Sequence, residues 1–229
     1  MKTRILIYQQ KLLGKIPEND FDKIKALKAN YTCLPEYFFH SDVITYNDAM
    51  RQMQYLSKEL NLVLIGGTTV LSENNKLFNT SYIFDRGKEI GHYKKINLFH
   101  KEIGKITPGN EYKVFEVNNV NIGILICADV LHQDAWQKMA LLKPNIIFIP
   151  TFSPYKEESI KEKFMRDEKI YVSGAKICGC PVIKVCGIGT YHDTKIQGRS
   201  LAVDKNSIIW RVAPEDEDKS IMKLIEIDI

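Results

Sequence analysis

Cys127 stands where a predicted buried strand gives way to an amphipathic helix. Residues 122–126 are apolar apart from one glycine, and the apolar residues that follow recur at helical intervals, at Val130, Leu131, Ala135, Trp136, Met139 and Leu142. Backbone N–H groups at a helix start are unpaired, and the helix dipole favours negative charge there. This position therefore predicts a cysteine with a stabilised thiolate, beside N–H groups that can receive an oxyanion. The alternative is a small apolar residue filling a strand end, since free cysteines are among the most buried residue types.

A carboxylate, Glu36, follows another predicted strand, residues 31–34. Pro35 ends the hydrogen-bond ladder of that strand, so Glu36 lies just past its carboxyl end, where layered α/β proteins build their sites. Residues 37–39 are all aromatic. They would partly desolvate the carboxylate, which raises its pKa and suits it to proton transfer. The alternative interpretation is an exposed loop glutamate.

Two lysines, Lys94 and Lys95, end a third predicted strand, residues 89–94. The flanking residues are apolar or aromatic, which indicates that one lysine points into a packed, aromatic region. These residues are Tyr93, Ile96, Leu98 and Phe99. A lysine held near a cysteine favours the thiolate and stabilises a tetrahedral oxyanion. The alternative is that both lysines belong to the solvated surface.

The elements that must position these residues alternate between strands and helices. Single strands are predicted at 4–8, 31–34, 61–66, 145–149, 180–185 and 221–229, and hairpins at 76–84 with 89–94, 112–117 with 120–126, and 198–204 with 207–212. Helices are predicted at 21–27, capped by Asn19 or Asp20, at 41–60, capped by Ser41 or Asp42, and over most of 156–174. This pattern predicts an α/β protein with mixed sheets covered by helices, formed by a single domain over residues 1–229.

Composition excludes several classes of protein. Of the 229 residues, 26% are charged, and the net charge of +4 is scattered among acidic neighbours, so a nucleic-acid partner is not expected. No apolar stretch reaches the length of a membrane span, and polar residues interrupt the N-terminal apolar run, so neither a membrane segment nor a signal peptide is expected. The odd count of five cysteines predicts reduced thiols and a cytoplasmic protein. Cys178 and Cys180 form a C-x-C pair with no further ligands for a metal site.

Three of these segments together resemble the nitrilase, or carbon–nitrogen hydrolase, superfamily: Leu34-Pro35-Glu36, residues 93–99 (YKKINLF) and residues 123–129 (GILICAD). The resemblance implies Glu36 as general base, Lys95 as oxyanion stabiliser and Cys127 as nucleophile. It also implies Glu102 as a second, substrate-positioning glutamate and the backbone N–H of Ala128 as an oxyanion donor.

The same resemblance implies a fold, an assembly and a reaction. The fold is a four-layer α-β-β-α sandwich, and the assembly is a homodimer or a higher homo-oligomer built through the helices after the lysine and cysteine motifs. The reaction is hydrolysis of a small non-peptide amide or carbamoyl compound through a thioester on Cys127, with no metal and no cofactor. True nitrilases of the family usually carry Cys-Trp-Glu, whereas Cys127-Ala128-Asp129 resembles the amidase and carbamoylase branches. Asp129 is also predicted to cap the following helix.

Pocket residues are predicted from the segments beside the three motifs, at Tyr37, Phe38, His132, Phe152 and Ser153. The sequence departs from the family near the pocket, because Asn97 stands where a histidine is common. Three alternative functions remain open. They are a non-catalytic binding or regulatory protein with the same fold, a true nitrilase, and a thiol redox protein that uses Cys178 and Cys180.

Overall fold

The computed structural model describes residues 2–229. Within that range the chain forms fourteen strands. They are β1 Lys2–Lys11, β2 Tyr31–Cys33, β3 Val63–Ile65, β4 Thr69–Glu73, β5 Lys76–Asp85, β6 Lys88–Lys94, β7 Val114–Val117, β8 Val120–Ile124, β9 Ile146–Thr151, β10 Val182–Tyr191, β11 Thr194–Ile196, β12 Leu201–Val203, β13 Ile208–Arg211 and β14 Ile221–Asp228.

The helices cover the outer faces of these strands. The α-helices are α1 Glu18–Leu27, α2 Tyr46–Glu59, α3 Gln133–Leu141, α4 Ile160–Asp167 and α5 Ser173–Cys178. Two 3₁₀ helices, Cys127–Leu131 and Pro214–Asp216, and one π-helix, Glu168–Val172, complete the described part of the chain. No helix within residues 2–229 is both long enough and apolar enough to cross a membrane.

The strands form two layers that meet at the end of β1. The first layer runs β4-β5-β3-β2-β1, with β6 on β5 and β14 antiparallel to β1. The second runs β10-β9-β8-β7, with β12 and β13 beyond β10. Gln10 and Lys11 pair in parallel with Gly187 and Ile188, which joins the layers. Parallel and antiparallel pairs occur in both layers, as predicted for mixed sheets.

Strand alternation decides which side chains fill each layer of the core. Ile5 and Ile7 of β1 point inward against Phe148 of β9, and this inner core lies between the two sheets. Leu6, also of β1, points outward against α2, where Met53 is buried. On the opposite face of the molecule, outward residues of β9 and β10 pack against α3 and α5. The predicted α/β fold, a four-layer α-β-β-α sandwich, is confirmed.

Two predicted helix starts are wrong. Helix α2 begins at Tyr46 instead of residue 41, because Thr45 supplies the cap and its Oγ1 accepts the N–H of Asp48 at 3.2 Å. Helix α1 begins after Pro17 with no side-chain cap, so neither Asn19 nor Asp20 has the predicted role. Helix propensity alone does not separate these starts from a preceding turn.

Two strands, β4 and β11, were not predicted. Asn74 and Asn75 join β4 to β5 with φ of 50° and 59°, and His192 and Asp193 join β10 to β11 with φ of 43° and 58°. Two successive positive φ angles define the tight turn that best fits the twist of a hairpin, and Asn or Asp tolerates them. The Asn-Asn pair at residues 74–75 was therefore a readable signal for β4.

Candidate active site

Glu36 lies in a turn directly after β2, inside the protein. The turn is held by the N–H of Phe38, which donates to the carbonyl of Pro35, and by the N–H of Tyr37, which donates to Thr68 Oγ1 at 2.8 Å. Glu36 is only 1% exposed, which excludes the exposed-loop alternative. Its Oε2 accepts the backbone N–H of Phe152 at 2.9 Å, so the end of β9 fixes the carboxylate.

Lys95, and not Lys94, turns inward at the end of β6. Lys94 pairs with Glu73 on the outside of the sheet, whereas Lys95 is 1% exposed. The N–H of Lys95 donates to the carbonyl of Asn79 at 2.9 Å, and the N–H of Gly109 donates to the carbonyl of Lys95 at 2.7 Å. Gly109 approaches so closely that a Cβ there would lie 2.3 Å from the carbonyl oxygen of Lys94. The backbone of Lys95 is therefore held from both sides.

Cys127 begins the 3₁₀ helix that follows β8. The predicted strand-to-helix junction exists, but the first turn is 3₁₀, and α3 begins only at Gln133. Cys127 has a φ of 43°, a conformation that non-glycine residues rarely adopt and that concentrates at functional sites. Its thiol donates to the carbonyl of Phe152 at 3.2 Å. Phe152 thus contacts both Cys127 and Glu36 through its backbone.

A second carboxylate, Glu102, joins the first around one ammonium group. Lys95 Nζ lies 2.7 Å from Glu36 Oε1 and 2.6 Å from Glu102 Oε2. Asn79 Nδ2 donates to both carboxylates, at 2.9 and 2.8 Å, and Tyr37 OH donates to Glu102 at 2.6 Å. The sequence-predicted residues Glu36, Lys95, Glu102 and Cys127 therefore converge. Asn79 was missed, because a single polar residue inside a predicted strand carries no signal of this role.

The two carboxylates have opposite pKa shifts. Burial raises the pKa of Glu36 above 4.5, and Lys95 opposes that shift without cancelling it. Burial also acts on Glu102, but Lys95 and the hydrogen bonds from Tyr37 and Asn79 outweigh it and lower its pKa. Paired titratable groups whose pKa values are pushed apart mark the assignment of acid and base. Glu36 is the group suited to exchange a proton, and Glu102 stays ionised beside Lys95.

The expected stabilised thiolate of Cys127 is wrong for the resting protein. Burial raises the pKa of the Cys127 thiol well above 9.0, and the Glu36 carboxylate raises it further, whereas Lys95 acts in the opposite direction. The short 3₁₀ helix also provides little of the helix dipole on which the expectation rested. The thiol is therefore protonated at neutral pH and needs a base. The Glu36 carboxylate lies near enough to the thiol to raise its pKa, and it is an alternative acceptor to the Phe152 carbonyl.

The pKa shift of Glu36 predicts the acidic limb of the pH profile. If Glu36 takes the thiol proton, as the sequence predicts, it must be ionised, so kcat/KM should fall as the pH drops through its raised pKa. We expect the midpoint of that limb to lie above pH 4.5, the ordinary value for a glutamate. Circular dichroism over the same range controls for unfolding. A folded protein whose activity is constant down to pH 4.5 would contradict this assignment.

Asp129 does more than cap a helix. Its fully buried carboxylate accepts the backbone N–H of Ile126 at 2.9 Å, the backbone N–H of Asn97 at 2.7 Å and the hydroxyl of Tyr93 at 2.8 Å. Asn97 also donates to it through Nδ2 at 3.2 Å. Asp129 therefore ties the segment after Lys95 to the segment that carries Cys127. Asn97, the noted departure from the family, takes part in this connection.

Replacing Asp129 by Asn should weaken both stability and activity. The amide of the variant would turn N–H donors toward the hydroxyl of Tyr93 and the N–H groups of Ile126 and Asn97, which are donors themselves. We therefore expect the free energy of unfolding to fall by about 1–3 kcal/mol. Loss of the link should also lower kcat, because Lys95 and Cys127 would no longer hold a fixed separation. The matched variant Tyr93→Phe removes one donor and should cost about 0.5–1.5 kcal/mol. Chemical denaturation measures both changes, and equal stability of Asp129→Asn and wild type would contradict the role.

Cys127 opens onto two adjoining cavities. The first has a volume of about 470 Å³ and is lined by Glu36, Lys95 and Glu102. The second has a volume of about 350 Å³ and is lined by Ala128 but not by those three residues. Cys127, Phe99 and Phe152 line both.

The predicted pocket residues divide into three groups. Tyr37 lines the first cavity, Ser153 lines the second, and Phe152 lines both. Phe38 lies in the outer core instead, packed edge-on against Phe39, because the turn after Glu36 directs it away from the cavity. His132 is exposed and lines neither cavity, since it follows the 3₁₀ helix and turns outward before α3.

Tyr191 and His192 line the first cavity and were not predicted. Tyr191 stacks on Tyr37 with ring centroids 5.7 Å apart and meets Phe152 edge-on at 5.9 Å. Tyr191 ends β10 and His192 follows it, and the sequence had predicted this strand to end at residue 185.

Among residues 2–229, no cluster of three or more His, Cys, Asp or Glu residues is arranged to hold a metal ion, and all five cysteines are free.

Comparison with known proteins gives the family of the chain. The carbon-nitrogen hydrolase family model matches residues 10–228. The chain is 22% identical to a nitrilase from Pyrococcus abyssi, over 87% of this chain and 72% of that protein, and 27% identical to omega-amidase NIT2 from Homo sapiens, over 56% of this chain and 52% of that protein. A carbon-nitrogen hydrolase from Helicobacter pylori G27 has the same fold, with a TM-score of 0.83 at 20% identity over 100% of this chain and 90% of that one.

The chain therefore belongs to the carbon-nitrogen hydrolase family. Its members are enzymes that act on carbon–nitrogen bonds. The chain spans about half the length of the human omega-amidase and about seven-tenths of the Pyrococcus protein.

Proposed function

We propose that the protein hydrolyses a small non-peptide amide through a thioester on Cys127. The observation that carries this proposal is the arrangement around Glu36. One buried carboxylate contacts the Lys95 ammonium at 2.7 Å and the thiol of Cys127, and all three groups face one cavity. A base, a cation and a nucleophile in contact are the parts that acyl transfer needs. The amidase relatives support the same reaction class.

The first half of the reaction forms the thioester. Glu36 takes the proton from Cys127 while Sγ attacks the amide carbon, and the carbonyl oxygen becomes an oxyanion. The Lys95 ammonium has three N–H donors and gives two of them to Glu36 and Glu102, which leaves one for the oxyanion. The backbone N–H of Ala128 is the second donor. Glu36 then passes its proton to the amide nitrogen, which leaves as ammonia or an amine.

The second half releases the acid. Glu36, ionised again, takes a proton from water, and the resulting hydroxide attacks the thioester carbon. The oxyanion returns to Lys95 and Ala128, the C–S bond breaks, and Sγ recovers the proton from Glu36. Glu102 remains ionised throughout, because its pKa is lowered, and holds Lys95 charged and in place. Its position against Tyr37 supports a further role in placing the substrate.

Ammonia release from matched amides and nitriles tests this proposal. Butyramide and butyronitrile have the same carbon chain, so they separate amidase from nitrilase activity. We expect hydrolysis of amides and little or no hydrolysis of nitriles, in keeping with Ala128 where nitrilases of the family usually carry tryptophan. Faster hydrolysis of the nitrile would favour the nitrilase alternative, and a folded protein inactive on a broad amide panel would favour the non-catalytic one.

We further propose that residues 1–229 form one domain, acting as a homodimer or higher homo-oligomer in the cytoplasm on a small-molecule amide. The pairing of β1 with β14 supports the single domain. Exposed apolar side chains on the outer helical layer support self-association, with Leu141 of α3 80% exposed and Ile177 of α5 41% exposed. The odd number of cysteines supports a reducing compartment. Light scattering measures the oligomeric state directly.

A further inference from the structure

The two buried carboxylates of the site differ in how many hydrogen bonds they accept. Glu102 has two donors on each oxygen. On Oε1 they are Tyr37 OH at 2.6 Å and Asn79 Nδ2 at 2.8 Å, and on Oε2 they are Lys95 Nζ at 2.6 Å and the N–H of Phe99 at 2.8 Å. A carboxylate offers about four lone-pair positions, so all those of Glu102 are filled. Glu102 therefore has no position for a proton taken from another group.

Glu36 keeps one lone-pair position open, and that position is on Oε2. Its Oε1 accepts two hydrogen bonds, from Lys95 Nζ at 2.7 Å and from Asn79 Nδ2 at 2.9 Å. Its Oε2 accepts one nitrogen donor among residues 2–229, the backbone N–H of Phe152 at 2.9 Å. The backbone of Phe152 also holds the thiol, because its carbonyl lies 3.2 Å from Cys127 Sγ. Oε2 is therefore the oxygen that can take the thiol proton.

Asn79 contributes to both hydrogen-bond patterns and holds Lys95 as well. A side-chain amide has two N–H donors, and each carboxylate receives one of them. The backbone carbonyl of Asn79 accepts the N–H of Lys95 at 2.9 Å. Asn79 belongs to β5, which pairs with β4 on one side and with β6 on the other, so its backbone is fixed. One residue thus sets the separation of Glu36, Glu102 and Lys95.

The amide of Asn79 keeps its orientation although its oxygen lacks a donor. Asn79 is fully buried, and its Oδ1 accepts no hydrogen bond from residues 2–229. A buried amide oxygen without a donor is unfavourable. Turning the amide over would place that oxygen against two ionised carboxylates, which have no proton to donate. The contacts with Glu36 and Glu102 therefore determine the orientation of the amide, and the packing of β5 does not.

We propose that Asn79 is a positioning residue that directs the proton of Cys127 to Oε2 of Glu36. It fills the second position on Oε1 of Glu36 and one position on Glu102, which leaves a single acceptor in the pair of carboxylates. Asn79 lines neither cavity, so it acts through the carboxylates and not on the substrate. This inference rests on the proposed reaction at Cys127.

Asn79→Leu tests this role, because leucine has a similar shape and no donor. Loss of a hydrogen bond to the ionised form raises the pKa of Glu36, so the acidic limb of kcat/KM should move upward by about 1–2 pH units. We expect kcat to fall by about 10- to 100-fold, since the carboxylate loses one of the bonds that hold it. KM should change little, because Asn79 lines neither cavity. An unmoved limb in a folded variant would overturn the inference.

Ser81→Ala is the matched control. Ser81 is equally buried on the same face of β5, two residues further on, and its Oγ makes no hydrogen bond with residues 2–229. Its replacement should leave kcat and the acidic limb unchanged. An equal upward shift in Ser81→Ala would show a general disturbance of β5 and overturn the role of Asn79.

Asn79→Asp provides a second variant in case Asn79→Leu does not fold. Aspartate keeps the shape of the side chain, but it supplies at most one donor and, when ionised, adds a third negative charge beside Glu36 and Glu102. The acidic limb should therefore move upward in this variant too. A limb at the wild-type pH in Asn79→Asp would contradict the inference.

The reaction of Cys127 with methyl methanethiosulfonate separates this inference from the proposed function. The thiolate forms a mixed disulfide with the reagent and releases methanesulfinate, so the rate reports proton transfer from Cys127 without amide hydrolysis. Mass spectrometry of the peptide that contains Cys127 measures this rate against pH. Its acidic midpoint should be about 1–2 pH units higher in Asn79→Leu than in the wild type, even if neither protein hydrolyses an amide. Equal midpoints would overturn the role of Asn79, even if the wild type is an active amidase.

Discussion

Cys127→Ala is expected to abolish amide hydrolysis, with a fall in kcat of about 10⁴-fold or more. The reason is that the proposed thioester requires Sγ, and removal of a covalent nucleophile usually leaves only the residual effect of the oxyanion site. The substitution removes one sulfur atom from a position that already borders two cavities. We therefore expect the melting temperature to change little. Ammonia release and thermal unfolding measure the two effects on the same preparation.

Cys178→Ser is the matched control for that variant. Cys178 is a half-buried free thiol on α5 whose Sγ lies 3.5 Å from the carbonyl of Trp136 and lines neither cavity. Its replacement should leave kcat unchanged. If Cys178→Ser lost activity while Cys127→Ala kept it, the redox alternative that uses Cys178 and Cys180 would replace the present account.

Glu36→Gln is expected to lower kcat by about 10²- to 10⁴-fold, the usual range for loss of a general acid–base group. The amide keeps the shape of the side chain but cannot accept the thiol proton, and burial already holds that thiol protonated. Because the carboxylate of Glu36 acts in both halves of the proposed reaction, acylation and thioester hydrolysis should both slow. A variant that kept a tenth of wild-type activity would contradict the role of Glu36 as base.

Stability distinguishes Glu36 from its neighbour Glu102. The pKa of Glu36 is higher in the folded protein than in the unfolded chain, so at pH 8 the ionised Glu36 makes folding less favourable. Glu36→Gln should therefore not lower the melting temperature at pH 8. The folded pKa of Glu102 is lowered, so its charge contributes stability above its unfolded pKa that is lost as the pH falls. Glu102→Gln should therefore lower the melting temperature at pH 8, and the difference should shrink near pH 4.

The positions of the three principal residues were predictable from the sequence because each ends a strand. Apolar runs mark the strands before Glu36 and Cys127, and the aromatic neighbours of Lys95 indicated an inward lysine. The choice between Lys94 and Lys95 came from the resemblance to the family, and the structure shows its physical basis, since consecutive residues at a strand end point to opposite sides.

The contacts that complete the site were not predictable, because they are made between segments far apart in the chain. Asn79 bridges two carboxylates from the middle of a strand, and the backbone of Phe152 contacts Glu36 across 116 positions. Asp129 was predicted as a cap, since its spacing from the strand fits that role, but its partners on the segment after Lys95 are visible only in the folded chain. Phe38 illustrates the converse, because an aromatic residue near a proposed catalytic residue can equally belong to the core.

The backbone geometry at the nucleophile was also hidden. Cys127 and Tyr37 both have positive φ, 43° and 58°, although neither is a glycine. Surrounding structure imposes such conformations, and residue type gives no warning of them.

Rapid acid quenching followed by mass spectrometry tests the thioester on Cys127 most directly. The wild-type protein, mixed with an amide that it hydrolyses and quenched during turnover, should gain the mass of the acyl group on the peptide that contains Cys127. Hydroxylamine should remove that mass and release the hydroxamate, as it does for thioesters. Continued hydrolysis with no acyl group on Cys127, or with an acyl group on another residue, would contradict the account.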